Sequence, residues 1–152
     1  MARPRDPAAL KILKGKSHMT KEEKTEAMER EIYASDGEIK PPHWLKGPAL
    51  SHFNKNAQYM DSVNRMAGVN IYGSTDVESL VLMSMSYQKS NEYLVDEQKA
   101  KKSGDTKAAS EAHKKRLAED RSYREFSKLL KLDPGNRVDI RGGGDDDGES
   151  EF

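Results

Sequence analysis

The stretch that most constrains this chain runs from Thr75 to Leu132, where two long helix-forming segments, 76–101 and 105–132, meet at a Ser103-Gly104 break. Neither contains proline, whose missing N–H and fixed ring would break a helix interior. Thr75 and Glu78 read as a capping box, with Asp76 well placed against the helix dipole. Leu80, Met83, Tyr87 and Leu94 fall on one stripe, while Val77, Val81, Leu82, Met85 and Tyr93 spread over the other faces. A helix apolar on several sides must be covered on several sides. The return segment is mostly alanine and charge from Thr106 to Arg116. It turns apolar after Leu117, at Tyr123, Phe126, Leu129, Leu130 and Leu132. The pattern predicts an all-α fold built on a helical hairpin, packed at its base and polar and basic at its tip.

Composition bears on what covers those faces. Only 34% of the 152 residues are hydrophobic, the same share is charged, and mean hydropathy is -0.95. So thin an apolar content leaves part of the chain outside any core, or sends a helix face into a neighbouring subunit. Both are expected here, with Leu80, Val81, Met83, Met85, Tyr87 and Leu94 as the oligomer interface.

Upstream, Pro48 suits the first turn of a helix, and Leu50, Phe53, Ala57 and Met60 recur at helical steps until Gly68 offers a C-cap. Thr20 and Glu23 form another capping box, opening a helix over 20–34 whose large apolar residues are only Met28, Ile32 and Tyr33. Gly37 is expected to end it. Lys40-Pro41-Pro42-His43-Trp44-Leu45 reads as extended, and Trp44 with Leu45 as a plug fixing the preceding arm to the helical body. Asp133-Pro134-Gly135-Asn136 is a turn, after which 137–140 reads as a short strand or extended segment, with Arg137 pairing a carboxylate or capping carbonyls. The expected organisation is 1–47 as basic arm, short helix and proline-rich linker, 48–140 as helical core and oligomerisation domain, and 141–152 as a disordered acidic tail.

The formal net charge of zero conceals blocks of one sign. Residues 1–24 carry seven Lys/Arg against three Asp/Glu, residues 99–116 carry seven against two, and the last eleven residues carry five acids and no base. Basic blocks can neutralise phosphates without reading sequence. The candidate DNA contacts are Arg3, Arg5, Lys11, Lys14 and Lys16 in the arm, then Lys101, Lys102, Lys114, Lys115 and Arg116 at the tip. Asp145, Asp146, Asp147, Glu149 and Glu151 make a candidate partner-binding tail. Solvated helix faces and solubilising ends are the competing reading of each block.

Other chemistry lacks its residues. There is no cysteine, and His18, His43, His52 and His113 lie in separate segments without ligand spacing, so neither a metal nor a cofactor is expected. No phosphate loop, dinucleotide fingerprint or nucleophile elbow occurs, and catalysis by this chain is not expected. No apolar run nears the roughly 20 residues that span a bilayer, and no signal-peptide core is evident, which points to the cytoplasm. A helix-turn-helix over 48–90, turning at Gly68–Gly73, would place an over-apolar second helix in the major groove.

Four stretches together resemble a known family. They are Arg3-Pro4-Arg5-Asp6-Pro7-Ala8-Ala9-Leu10-Lys11-Ile12-Leu13-Lys14-Gly15, Pro41-Pro42-His43-Trp44-Leu45 with Ala49, Gly73-Ser74-Thr75-Asp76, and Leu129-Leu130-Lys131-Leu132-Asp133-Pro134-Gly135-Asn136-Arg137. In order and spacing this set is similar to the small terminase subunits of tailed bacteriophages that begin with an arginine-proline arm and a leucine-rich box. The resemblance implies a mostly helical, ring-forming homo-oligomer in the cytoplasm of an infected bacterium. It implies binding of double-stranded viral DNA and delivery to the large terminase subunit, the ATPase and nuclease of the packaging motor. It would also place the missing phosphate loop in that partner. The chain departs from the family in the regular charged helix over 20–34 and in the turn before Arg137. The other readings are an oligomeric helical scaffold that binds no DNA, and a helix-turn-helix regulator.

Overall fold

The computed structural model describes residues 6–15, 20–30 and 36–137, and what it describes is all-helical: α1 (Ala8–Lys14), α2 (Lys21–Arg30), α3 (Gly47–Ala67), α4 (Val77–Ser103) and α5 (Thr106–Leu129). Arg3, Arg5, Lys16, Ile32, Tyr33, residues 138–140 of the expected strand and the acidic tail lie outside the described residues. No helix among the described residues is long and apolar enough to cross a membrane.

Helix ends follow local chemistry. Thr20 and Glu23 cap α2 reciprocally, with Glu23 Oε2 accepting from the Thr20 N–H at 2.9 Å and Thr20 Oγ1 accepting from the Glu23 N–H at 3.3 Å. Pro48 sits in the first turn of α3, which Gly68 ends at φ 70°; Gly104 ends α4 at φ 77°. An L side chain at either glycine would meet the steric penalty of the left-handed region, about 1–2 kcal/mol. Asp105 caps α5, its carboxylate accepting from the Ala108 N–H at 3.0 Å. The Thr75/Glu78 box does not form. A short 3-10 turn over Ser74–Asp76 precedes α4 instead, and the Asp76 carboxylate closes it by accepting from the Gly73 N–H at 2.9 Å. Asp36 steadies the same turn by accepting from the Ser74 N–H at 3.2 Å and hydroxyl at 3.1 Å.

The core lies at one end of the long helices. Phe53, Met60 and Val63 of α3 and Leu80 and Met83 of α4 are fully buried, with Leu130 and Leu132 beyond α5. Leu10 of α1, Ile39 and Leu45 enter the same cluster. The division expected at 47/48 is therefore not a packing boundary: α1 docks through Leu10, because a small core gains more from one inserted leucine than from a free arm. Only half of the expected plug is inside. A turn in which the Leu45 N–H reaches the Pro42 carbonyl at 3.1 Å points Leu45 inward and leaves Trp44 53% exposed.

α4 and α5 run antiparallel beyond the core. Ser90 hydrogen-bonds Asp120, and further out Arg116 reaches back to Glu97. Between these outer halves the buried residues are small or polar, Ala109, Ala112 and Glu97. At the far end of α5 the chain turns through Lys131 at φ 58°, with the Leu132 N–H reaching the Ser127 carbonyl at 2.8 Å. This is a Schellman-type stop, with lysine where glycine is usual. Arg137 caps the turn, its Nε donating to the Leu132 carbonyl at 2.7 Å.

Candidate functional site

The outer ends of α4 and α5 bring several of the expected basic residues to one place, organised by a carboxylate. Glu97 is 5% exposed. One of its oxygens takes Lys101 at 3.2 Å and His113 at 3.2 Å, and the other takes Arg116 Nε at 3.1 Å. Arg116 also lies 3.7 Å from Asp120. Burial opposes the charged form of Glu97, but the hydrogen bonds and charges of Lys101 and Arg116 outweigh it and hold the carboxyl below its usual range. Lys101 and Arg116 are thus tied down, serving the helix pair. Lys102, Lys107, Lys114 and Lys115 are exposed and form no ion pair among the described residues; Lys115 Nζ sits 5.9 Å from the centre of the Tyr93 ring. These four, two of them adjacent on α5, are available cations of the tip, with the likewise exposed Lys99 beside them.

In the arm, Lys14 is not placed for DNA. Its side chain is 9% exposed and its ammonium donates to Asp6 at 2.7 Å and to Asn136 Oδ1 at 2.7 Å. Lys131 meets the same Asp6 carboxylate at 2.9 Å. Burial opposes the charged form of Asp6, yet the hydrogen bonds and charges of Lys14 and Lys131 hold its carboxyl below the usual range. Lys11 is half-buried on α1. Neither Glu97 nor the Asp6 cluster was legible in the sequence, where each carboxylate is one of 26 acids.

The expected oligomer interface divides. Leu80, Val81 and Met83 are taken into this chain's own core and Met85 packs against it, so they are not available to a neighbour. Core, rather than subunit contacts, accounts for that stretch of α4. Tyr87 and Leu94 are exposed, and with Leu82, Val95, Leu117 and Leu129 they form the apolar surface of the two long helices. In the first turns of α4, Leu80, Val81 and Met83 face the core while Glu78 and Leu82 are exposed.

A histidine network at the inner end of the pair had no sequence signal, since His52 stands alone among polar neighbours. The Ser84 hydroxyl donates to the Leu80 carbonyl at 2.8 Å, so its oxygen is left to accept from His52 Nδ1 at 2.9 Å. Nε2 then accepts from the Tyr123 hydroxyl at 3.1 Å. The ring stacks on Tyr87 at 4.6 Å and meets Tyr123 edge-on at 5.5 Å. With its proton committed to a carbonyl, Ser84 is not arranged as a nucleophile activated by the histidine. Burial first, then the charges of Lys55 and Arg137, push the His52 pKa down to about 4 from the ordinary 6.5. The unfolded chain therefore takes up the proton first as pH falls, and stability is lost between about pH 6.5 and 4. A His52→Gln variant, unfolded by urea at a series of pH values, is expected to lack this decline; an unchanged slope would rule out His52 as its source.

Among the described residues no cluster of acidic or histidine side chains is placed to hold a metal ion. No protein family, curated protein or solved structure matches the chain.

Proposed function

We propose that this chain is a small terminase subunit, a homo-oligomeric, non-enzymatic adaptor that binds double-stranded viral DNA and presents it to the large ATPase and nuclease subunit. The reading rests on the ordered set of four motifs, and one observation carries it furthest. Lys14, from the first motif, and Asn136, from the last, meet across 122 residues on the Asp6 and Lys131 ion cluster. Stretches that look independent in the sequence thus act as one structural unit, as parts of a single family pattern should.

Within this reading the α4–α5 pair is the assembly hairpin. Its exposed Leu82, Leu94, Val95, Leu117 and Leu129 supply subunit contacts in a ring. Lys102, Lys107, Lys114 and Lys115 neutralise phosphates, Arg3, Arg5, Lys11 and Lys16 add the arm's contribution, and the Asp145 to Glu151 tail engages the large subunit. Light scattering is expected to give a closed oligomer of many subunits; a monomer would contradict the assignment of the exposed apolar residues. Duplex affinity should fall steeply with salt. Changing the four tip lysines to glutamine should lower the log–log salt slope by roughly 4, about 0.9 per phosphate contact. An unaltered slope would remove the tip from the DNA contact.

The ion pairs of Lys14, Lys101 and Arg116 favour a second reading, a helical oligomer that binds protein and no DNA. It predicts no duplex binding at moderate salt.

A further inference from the structure

Beside the His52 network an open cleft of about 570 Å³ lies between α3, α4 and the turn after α5. Its volume falls within the range of small-molecule sites, roughly 300–1,000 Å³. Two features of its lining point the same way. Lys55 and Arg137 both face it, no carboxylate lines it, and neither cation forms an ion pair among the described residues. Arg137 spends its Nε on the Leu132 carbonyl and lies 5.5 Å from the Tyr59 ring centre, which fixes the guanidinium plane while leaving its two terminal nitrogens to donate. Part of the lining is aromatic: Tyr87, 40% exposed, stacks on His52, and Tyr123 lies 6.2 Å from it, tilted by 42°. Ser51 adds a hydroxyl at the rim.

A fixed guanidinium and an ammonium without an acid partner among the described residues suit a phosphate, and an exposed tyrosine wall suits a flat ring. We propose that this cleft binds the phosphate of a nucleotide unit between Arg137 and Lys55, with the base lying against Tyr87 and Tyr123. Carboxylates alone would satisfy the cations but not use the aromatic wall. The inference does not depend on duplex binding, since the cleft sits at the core end of α4 and α5, away from the tip lysines.

The test uses the full chain and three probes: dAMP, inorganic phosphate and a short single-stranded oligonucleotide, with binding followed by calorimetry and amide spectra. Binding of dAMP with a Kd on the order of 0.1–1 mM is expected, with inorganic phosphate clearly weaker. Lys55→Glu should weaken dAMP binding at least about tenfold, the scale of one lost charged hydrogen bond. Lys55 is exposed, so the variant's melting curve should match the parent's; Arg137→Lys, which keeps the charge but loses the fork, is the second variant. Tyr87→Leu should erase the preference for dAMP over phosphate. If the oligonucleotide binds more tightly than dAMP and is lost with Lys55→Glu, the ligand is a nucleic-acid strand; if it binds no better, the ligand is a free nucleotide. Either supports the site. It is overturned if neither dAMP nor the oligonucleotide binds, if phosphate equals dAMP, or if Lys55→Glu changes nothing. Glutamine at the four tip lysines should leave dAMP binding intact, which separates this site from the duplex contact.

Discussion

Replacing Leu10 by alanine is expected to destabilise the chain by roughly 3 kcal/mol, within the range for deleting a buried leucine side chain. Leu10 has no exposed surface, and Ala8 and Ala9 beside it are buried as well. It enters the cluster built by α3, α4 and the end of α5 from a helix of only seven residues. Such a helix has little stability of its own, so its order depends on this docking. The same change at Leu13, packed only partly against the core, should cost about 1 kcal/mol. Urea unfolding compares the two directly. Equal and small effects at both positions would mean that α1 is a loose arm and not part of the core.

Replacing Asp6 by alanine should have the next largest effect, about 2–3 kcal/mol, below the roughly 3–5 kcal/mol of a fully buried pair because Asp6 is partly open to solvent. Its carboxylate separates the ammonium groups of Lys14 and Lys131, whose side chains are 9% and 6% exposed. Without it the two ammonium groups lose the carboxylate they share. The sign of a second change makes the test sharper. Lys131 holds φ 58°, where glycine is relieved of roughly 1 kcal/mol of steric penalty. In the parent chain Lys131→Gly trades that relief against loss of the Asp6 contact. In the Asp6→Ala background it removes one of the two like charges as well, so it should raise stability. A double variant less stable than Asp6→Ala would exclude the cluster as the reason for a lysine at this turn. The pH dependence has a set direction too. The folded carboxyl lies below 3.8, so its contribution is present above that pH and lost as pH falls through the folded value. Parent and Asp6→Ala should therefore converge in acid.

Local chemistry was legible in the order of residues. Thr20 and Glu23, Pro48, Gly68 and Gly104 mark helix ends where the backbone uses them, because a cap needs only neighbours within a few positions. Failure began where two local solutions competed. Asp76 rather than Thr75 and Glu78 closes the turn before α4, since Asp36, distant in sequence, holds Ser74 in a 3-10 turn first. The apolar excess of α4 was also read correctly as needing more than one cover. Periodicity does not say whose surface provides it, and α3 and α5 of this same chain pack against α4, with Leu80, Val81 and Met83 in the chain's own core.

The candidate sites divide along the same line. That residues 99–116 are basic is a fact of the sequence; which lysines remain available depends on Glu97, whose partners come from both long helices. Lys14 in the basic arm looked equivalent to its neighbours until Asp6, Lys131 and Asn136 gathered around it. The Lys55 and Arg137 cleft joins residues 82 positions apart, by arithmetic on their numbers, with a histidine that had no partner within reach of sequence spacing.

By itself, then, the sequence determined the all-α class, several of the helix ends and the separation of charge along the chain, because propensity, capping and periodicity act over one or two turns of backbone. Only the tertiary structure decided which apolar residues are core, which cations are already paired, and where a cationic aromatic cleft opens. Those depend on contacts between residues far apart in the chain, whose energies exist only once the helices have packed.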